Sequence, residues 1–342
     1  MLRLIEALER PAIDPVVLIP EEGPLRAKLQ DLGVAVRVQP LRWWIPATHW
    51  SAETFLDQLE GLPERCDALT REVESLRPDL IHTNTVVSLE GAVVAARTGL
   101  PHVWHSRGLF GNGFPPPYLD DVPFFYGVID RLADTLVCVS QAVEREASLY
   151  GRYAERVVVP DGFDVGPLLK RAVESRESMA ARLELEPSAR LVVALGGIQR
   201  RKGQKDLVEA AGALRAEFPN LVVVLAGEAS DSAYAAQLQE LIRSRDLGSN
   251  IRLVGFQQDV RSLLAHADVF VHPSLSEGFA LAVLEAMAVG VPVVATKSGG
   301  PEGIIEDGTS GLLVEPGAPA ELARAIRLVL SDPGLAARLR RE

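Results

Sequence analysis

The sequence has a rhythm. Short Val/Leu/Ile runs recur along its whole length, separated by longer segments in which apolar residues return every three or four positions. A run of the first kind followed by a segment of the second is the pattern of a strand and a crossover helix, and in series it calls for parallel sheets flanked by helices. The runs are continuously apolar, so their strands are expected to be buried on both faces. Strands are predicted at Pro15 to Ile19, Ala35 to Val38, Asp79 to Thr83, His102 to His105, Thr135 to Val139 and Arg156 to Val159. A second, sharper series runs through Leu191 to Leu195, Leu221 to Ala226, Ile251 to Val254, Val269 to Val271 and Pro292 to Ala295. The fold class is α/β.

A chain of 342 residues exceeds one ordinary core, and the two strand series suggest two doubly wound, Rossmann-like domains. Between the series lies Pro160 to Ser188, where Pro160, Gly162, Gly166, Pro167 and Pro187 surround a polar middle, the composition of an interdomain connection. The boundary is placed near residue 170, giving domains 1–170 and 171–342, with ligands expected in the cleft between the carboxyl edges of the two sheets. The chain opens on a helical pattern, Leu2 to Leu8, where such a domain usually opens on a strand and a tight turn. The first sheet is therefore expected to lack a central strand, and the chain ends inside another helical pattern.

Composition excludes several classes. Hydrophobic residues make up 47% and charged residues 24%, the balance of a soluble globular protein rather than a disordered one. No stretch approaches about 18 uninterrupted apolar residues, and MLRLIEALER lacks the pattern of an export signal. Only Cys66 and Cys138 are present, without metal-ligand spacing, so a reducing cytoplasmic setting is expected, extending to the inner face of a membrane. The net charge of −11 disfavours nucleic acid and anything beyond weak peripheral membrane contact. Residues 1–170 carry 16 Lys and Arg against 24 Asp and Glu, the rest 19 against 22. In the less acidic half the positive charge is clumped in Arg200, Arg201, Lys202 and Lys205, which reads either as a solvated helix start or as an anion clamp.

The most informative stretch is Ser276-Glu277-Gly278-Phe279-Ala280-Leu281-Ala282-Val283-Leu284-Glu285, directly after the strand that ends Val271-His272-Pro273-Ser274. Gly278 gives the turn its freedom, and the amides of Phe279, Ala280 and Leu281 are expected to open a helix with unpaired N–H groups, a setting that attracts phosphate. Glu277 sits in the loop, whereas Glu285 is expected about two turns into the helix on an otherwise apolar segment. On spacing alone two readings stand equally: ligand-binding carboxylates, or a dipole partner at Glu277 and a buried ion pair at Glu285.

This segment resembles the E-x7-E element of family 4 retaining glycosyltransferases, which have the two-Rossmann GT-B fold. The resemblance extends to Gly196-Gly197-Ile198-Gln199-Arg200-Arg201-Lys202-Gly203, to Val254-Gly255-Phe256, to Ala267-Asp268-Val269-Phe270, and to Ser298-Gly299-Gly300-Pro301-Glu302 and Asp307-Gly308-Thr309-Ser310-Gly311. It covers nearly all of residues 190–330. In the first half, Pro78 to Asn84, Leu100 to Ser106, Val139 to Val143 and Val159 to Asp164 are similar more loosely.

The resemblance implies a nucleotide-diphosphate-sugar donor, a carbohydrate or lipid-linked acceptor, and transfer with retention during polysaccharide or glycolipid assembly. It implies no metal and no cofactor. Lys202 is then the cation facing the leaving diphosphate, with the amides of Phe279, Ala280 and Leu281 beside it; Arg200 or Arg201 is either the stand-in for the arginine missing at Gly197 or, the reading slightly favoured, solvated. Glu277 holds sugar hydroxyls, Glu285 the ribose, and Gly278, Gly255 and Phe256 complete the donor site. Retention in this family is explained by front-face attack, the departing phosphate taking the acceptor proton, so no base residue is named. His105 falls where the family places a histidine near the donor sugar; a strand-end histidine satisfied by its neighbours is the equal alternative. Asn84 and Arg107 are acceptor-side candidates.

Three departures stand against the pattern: Gly197 where an arginine is common, Ala280 where glycine is usual, and the missing opening strand. They keep open a noncatalytic nucleotide-sugar-binding remnant, and a GT-B epimerase or hydrolase is the other alternative. Trp43, Trp44 and the loop Gly111 to Tyr118 are candidates for packing, membrane contact or sugar stacking.

Overall fold

The computed structural model describes residues 2–9, 12–45, 52–110 and 122–341. The chain divides into two compact units at Phe163/Asp164. That division falls a few residues ahead of the boundary expected near 170. Asp164 caps a helix, Val165–Lys170, through the amide of Gly166, and this helix packs on the helix Leu281–Val289 of the second unit. The Pro/Gly-rich segment read as a connection is thus largely part of the second unit. Met179 of the helix Arg176–Arg182 is fully buried, and Arg176 ties the segment down through the carbonyls of Pro187, His266 and Ala189.

The second unit holds one parallel sheet of six strands: β7 (Arg190–Leu195), β8 (Leu221–Ala226), β9 (Ile251–Leu253), β10 (Val269–His272), β11 (Val293–Thr296) and β12 (Leu312–Val314). Their spatial order, β12-β11-β10-β7-β8-β9, puts β7 at the centre, where the order reverses. Every residue of β8 is buried. Alternate residues serve opposite cores: Val192 and Val223 pack into one cluster, Leu191, Val193 and Val224 into the other, as two-sided burial requires. Each such Leu or Val is worth about 1.5–3 kcal/mol when fully buried. The crossover helices start on side-chain caps, including Asp231 on the amide of Tyr234 and Asp259 on those of Arg261 and Ser262.

The first unit is built on the same rhythm, but its described strands form two parallel sheets. β1 (Val16–Ile19) pairs with β2 (Ala35–Val38), while β3 (Ile81–Thr83), β4 (His102–Ser106), β5 (Thr135–Cys138) and β6 (Glu155–Val158) pair in sequence order. In the second unit the first strand, β7, bridges β8 and β10. No strand among the described residues does this between β1 and β3. Leu18 of β1 and Ile81 of β3 nevertheless pack on one apolar cluster, formed by Cys66, Leu69, Val73 and Val94. The helix expected at the start spans Leu2–Glu6, and its Ile5 packs with Val17, Ile19 and Leu29.

Several polar anchors hold the first unit's loops. Glu90, fully buried, accepts from the amide of Arg42, from Arg65 at 2.8 Å and from Ser88. Trp44 is core: its Nε1 donates to the Val86 carbonyl at 2.7 Å, and it packs on Trp104 and Phe125. Trp43 is half exposed, and the loop Gly111 to Tyr118 lies outside the described residues. Cys66 and Cys138 are buried, as core residues should be.

Candidate functional site

The carboxyl edge of the second sheet is lined by glycines for steric reasons. β7, β8 and β9 run out into Gly196, Gly227 and Gly255, and the amide of Gly227 donates to the Gly255 carbonyl at 2.8 Å. A Cβ on Gly227 would lie 2.1 Å from the Gly196 carbonyl oxygen. After β7 the chain makes a short 3-10 turn, Arg200–Lys202, then Gly203 with φ 64° opens the helix Gln204–Leu214. A Cβ on Gly203 would meet the Pro273 carbonyl oxygen at 1.9 Å, so glycine is what lets this turn lie against the loop that follows β10. The two loops are laced together: Leu275 donates its amide to the Arg201 carbonyl, and the Arg201 guanidinium donates to the Ser276 carbonyl at 2.8 Å.

That lacing brings Lys202 and Arg201 to Glu277. Lys202 Nζ is hydrogen-bonded to Glu277 Oε2, and an Arg201 nitrogen lies 3.6 Å from Oε1. The Glu277 backbone is clamped on both sides, its amide donating to the Ser298 carbonyl and its carbonyl accepting from the Gly300 amide at 2.7 Å. Gly300 packs directly on Phe279, where a Cβ would come within 2.6 Å of backbone. Beneath Glu277 stand His272, its Nε2 3.4 Å from Oε2, and Ser274, whose Oγ donates to the same oxygen at 3.4 Å. Burial pushes the Glu277 carboxyl up, but the hydrogen bond from His272 and the charges of Lys202 and Arg201 outweigh it. The net effect holds the acid far below the usual carboxylate range, hence ionised. Burial, aided by Lys202 and Arg201, drives His272 down, so its imidazole is neutral at physiological pH.

The helix proper spans Leu281–Val289, so Phe279 and Ala280 precede it, and Glu285 is one turn in rather than two. The reason is Ala280, whose backbone is left-handed at φ 67°. Phe279 and Ala280 are buried, and Glu285 is half-buried. The first-turn amides left to face a ligand are those of Leu281 and Ala282, since the amide of Val283 already donates to the Ala280 carbonyl at 2.9 Å. Gly278 is buried in the loop, Gly255 is left-handed at φ 66°, and Phe256 is 69% exposed beyond β9. Of the arginine pair, Arg200 turns away onto the Tyr234 ring and Gln237, while Arg201 faces Glu277.

Two participants carried no signal in the sequence reading. His272 looks like one more residue of an apolar strand. Gln204 opens a helix, is 4% exposed, donates Nε2 to the Gly197 carbonyl, and among the described residues its Oε1 has no partner. Gln204, Lys202, His272 and Ser274 line one small recess at the ends of β7 and β10.

The first unit presents a separate cluster. His105, 6% exposed, stacks on His82 with ring centroids 5.7 Å apart, and among the described residues neither of its ring nitrogens has a partner. Arg107 bridges Asp161 at 2.5 Å and Asn84 at 2.8 Å. Burial, with Arg107 and His82 nearby, pushes His105 down to about 4. Among the described residues no three His, Cys, Asp or Glu side chains are grouped to hold a metal ion.

Comparison with known proteins decides the family. Residues 1–162 match the glycosyl transferase 4-like domain, and residues 175–342 match glycosyl transferases group 1. A D-inositol 3-phosphate glycosyltransferase of Paenarthrobacter aurescens is 30% identical over 80% of this chain and 71% of its own length. This chain belongs to the group 1 glycosyltransferases. The lipopolysaccharide core biosynthesis glycosyltransferase LpsE of Rhizobium meliloti is 32% identical over 61% of the chain, which spans 57% of the LpsE length. Among solved structures, Anabaena HepE in complex with UDP-glucose superposes with a TM-score of 0.78 at 24% identity, covering 95% of this chain and 84% of that one. Its likeness establishes the GT-B fold class for the group 1 member described here.

Proposed function

We propose that this group 1 glycosyltransferase moves a sugar from a nucleoside-diphosphate donor to a hydroxyl acceptor, with retention, in glycan assembly. The observation that carries the proposal is the pairing of Lys202 and Arg201 with Glu277 on the carboxyl edge of the second sheet. A donor of this kind gathers negative charge on its diphosphate as the glycosidic bond breaks, and fixed cations lower that barrier. Lys202 and Arg201 are those cations. Arg201 fills a role that Gly197 has no side chain to fill. The first-turn amides of Leu281 and Ala282 add dipoles, and with this charge in place the reaction needs no metal. Glu277, released from part of its cation pairing, accepts from sugar hydroxyls, and Glu285 from the ribose. UDP is the first nucleotide to try, since HepE is described with UDP and UDP-glucose.

The acceptor is a carbohydrate or a lipid-linked glycan, as the LpsE name supports. Among the described residues no helix is long and apolar enough to cross a membrane, so contact with a lipid-borne acceptor is peripheral in this proposal. Binding without turnover is the second reading, favoured by Gly197 standing where the resembling family commonly has an arginine. Release of nucleoside diphosphate from UDP-, GDP- and ADP-sugars in the presence of glycan acceptors, with NMR of the product's anomeric carbon, separates the two. A product with the donor's anomeric configuration supports the proposal. An inverted product contradicts retention, and tight binding without release supports the second reading.

A further inference from the structure

His272 ends β10 and is 2% exposed, a depth at which an imidazole requires a partner. It has one in Ser274 Oγ, 3.1 Å from Nε2, with Glu277 Oε2 3.4 Å from the same nitrogen. Ser274 in turn donates to Glu277 Oε2, so imidazole, hydroxyl and carboxylate form a short chain. The ring is held by its setting. It stacks near Phe270, with centroids 6.4 Å apart, and its strand is flanked by β7 and β11. Thr296 Oγ1 donates to the carbonyls of both His272 and Ser274, fixing the backbone on which the pair stands.

The other charged groups at Glu277 are Lys202 and Arg201. On the donor reading above, on which this inference rests, both turn to the diphosphate, a dianion that outcompetes one carboxylate for them. What stays with Glu277 is the His272–Ser274 pair, which is uncharged and has no such competitor. We infer that His272, acting through Ser274, is the positioning residue that keeps the Glu277 carboxylate set for the sugar hydroxyls while Lys202 and Arg201 engage the diphosphate. Its work is therefore seen in how the sugar is bound and transferred, not in how the nucleotide is bound.

The test uses calorimetry on the full chain and on His272→Leu and His272→Gln, with UDP, GDP and ADP and then with the glucose and N-acetylglucosamine conjugates of whichever diphosphate binds. Thermal melting is recorded for all three proteins. Leucine removes the donor; glutamine returns an N–H near the position of Nε2. Expected is bare diphosphate affinity within about twofold of the parent in both variants, with about a tenfold loss in His272→Leu of both the gain in affinity from the sugar and the rate of nucleotide release. His272→Gln regains most of both. Retention of the sugar gain by His272→Leu overturns the inference, as does a parallel loss of diphosphate and sugar binding that glutamine fails to rescue, which would mark a purely structural role. A parent that binds diphosphate but gains nothing from either sugar also counts against it. A parent that binds no diphosphate overturns the donor reading itself, and the inference falls with it.

Discussion

Ala280 holds a left-handed backbone at φ 67° one residue before the helix Leu281–Val289. A side chain there is strained by about 1 kcal/mol relative to glycine, the residue usual at this place in the resembling family. Ala280→Gly is therefore expected to raise the unfolding free energy by about 1 kcal/mol in chemical denaturation; an unchanged or lower value would show that the methyl group's packing outweighs the strain. His105 carries a second prediction. Its imidazole is held near 4 in the folded chain against an ordinary 6.5, so between these values the unfolded state binds more protons. Its contribution is complete above pH 6.5 and is lost as pH falls toward 4. His82 and His102 are displaced in the same direction, chiefly by burial. Denaturation at pH 7 and pH 4.5 is expected to show a smaller loss in His105→Asn than in the parent, the difference being at most about 3 kcal/mol. Equal losses would mean that His105 titrates normally.

At the scale of elements, the site depends on two loops that touch because glycine allows it. Gly203→Ala would force a Cβ against the Pro273 carbonyl in a left-handed turn, so the loop carrying Ser274 and Glu277 has to move. The expected outcome is loss of at least about tenfold in diphosphate affinity, with a lowered melting temperature; wild-type affinity would show that the loops are not coupled. The strand ends and their loops were legible in the sequence because charge and glycine there break long apolar runs: Lys202, Glu277 and the Ser298 to Gly300 turn all stand out. His272 was not legible, since a histidine closing an apolar strand has no spacing that distinguishes it, and Gln204 hides behind Lys-Gly as an ordinary helix residue. The helix starts two residues later than the sequence predicts because Ala280 is left-handed, which its residue type does not signal. β12, Leu312–Val314, is not among the strands the sequence predicts. Pro160 to Ser188 was read as a connection from its prolines and glycines, although Met179, Leu183 and Leu185 are buried in the second unit's core.

The two units of the molecule use the same α/β rhythm but pair their described strands differently. The second closes a six-stranded sheet between two apolar clusters, and the first divides its described strands between sheets of two and four. Central strands with both edges paired open only with the global unit, whereas edge-rich sheets open locally. Hydrogen exchange is expected to be slowest in β7 and β8 and markedly faster in β1 and β2; equal protection would mean that the smaller sheet gains partners in solution. Calorimetric titration of the parent and of Lys202→Ala with UDP, GDP and ADP tests whether the second unit holds a nucleoside diphosphate through Lys202. The parent is expected to bind at least one of the three, and Lys202→Ala to weaken that binding by about tenfold or more while still folding, with a lower melting temperature because Glu277 loses its hydrogen-bonded cation. Binding of equal strength in the two proteins, or no binding by the parent, would contradict it.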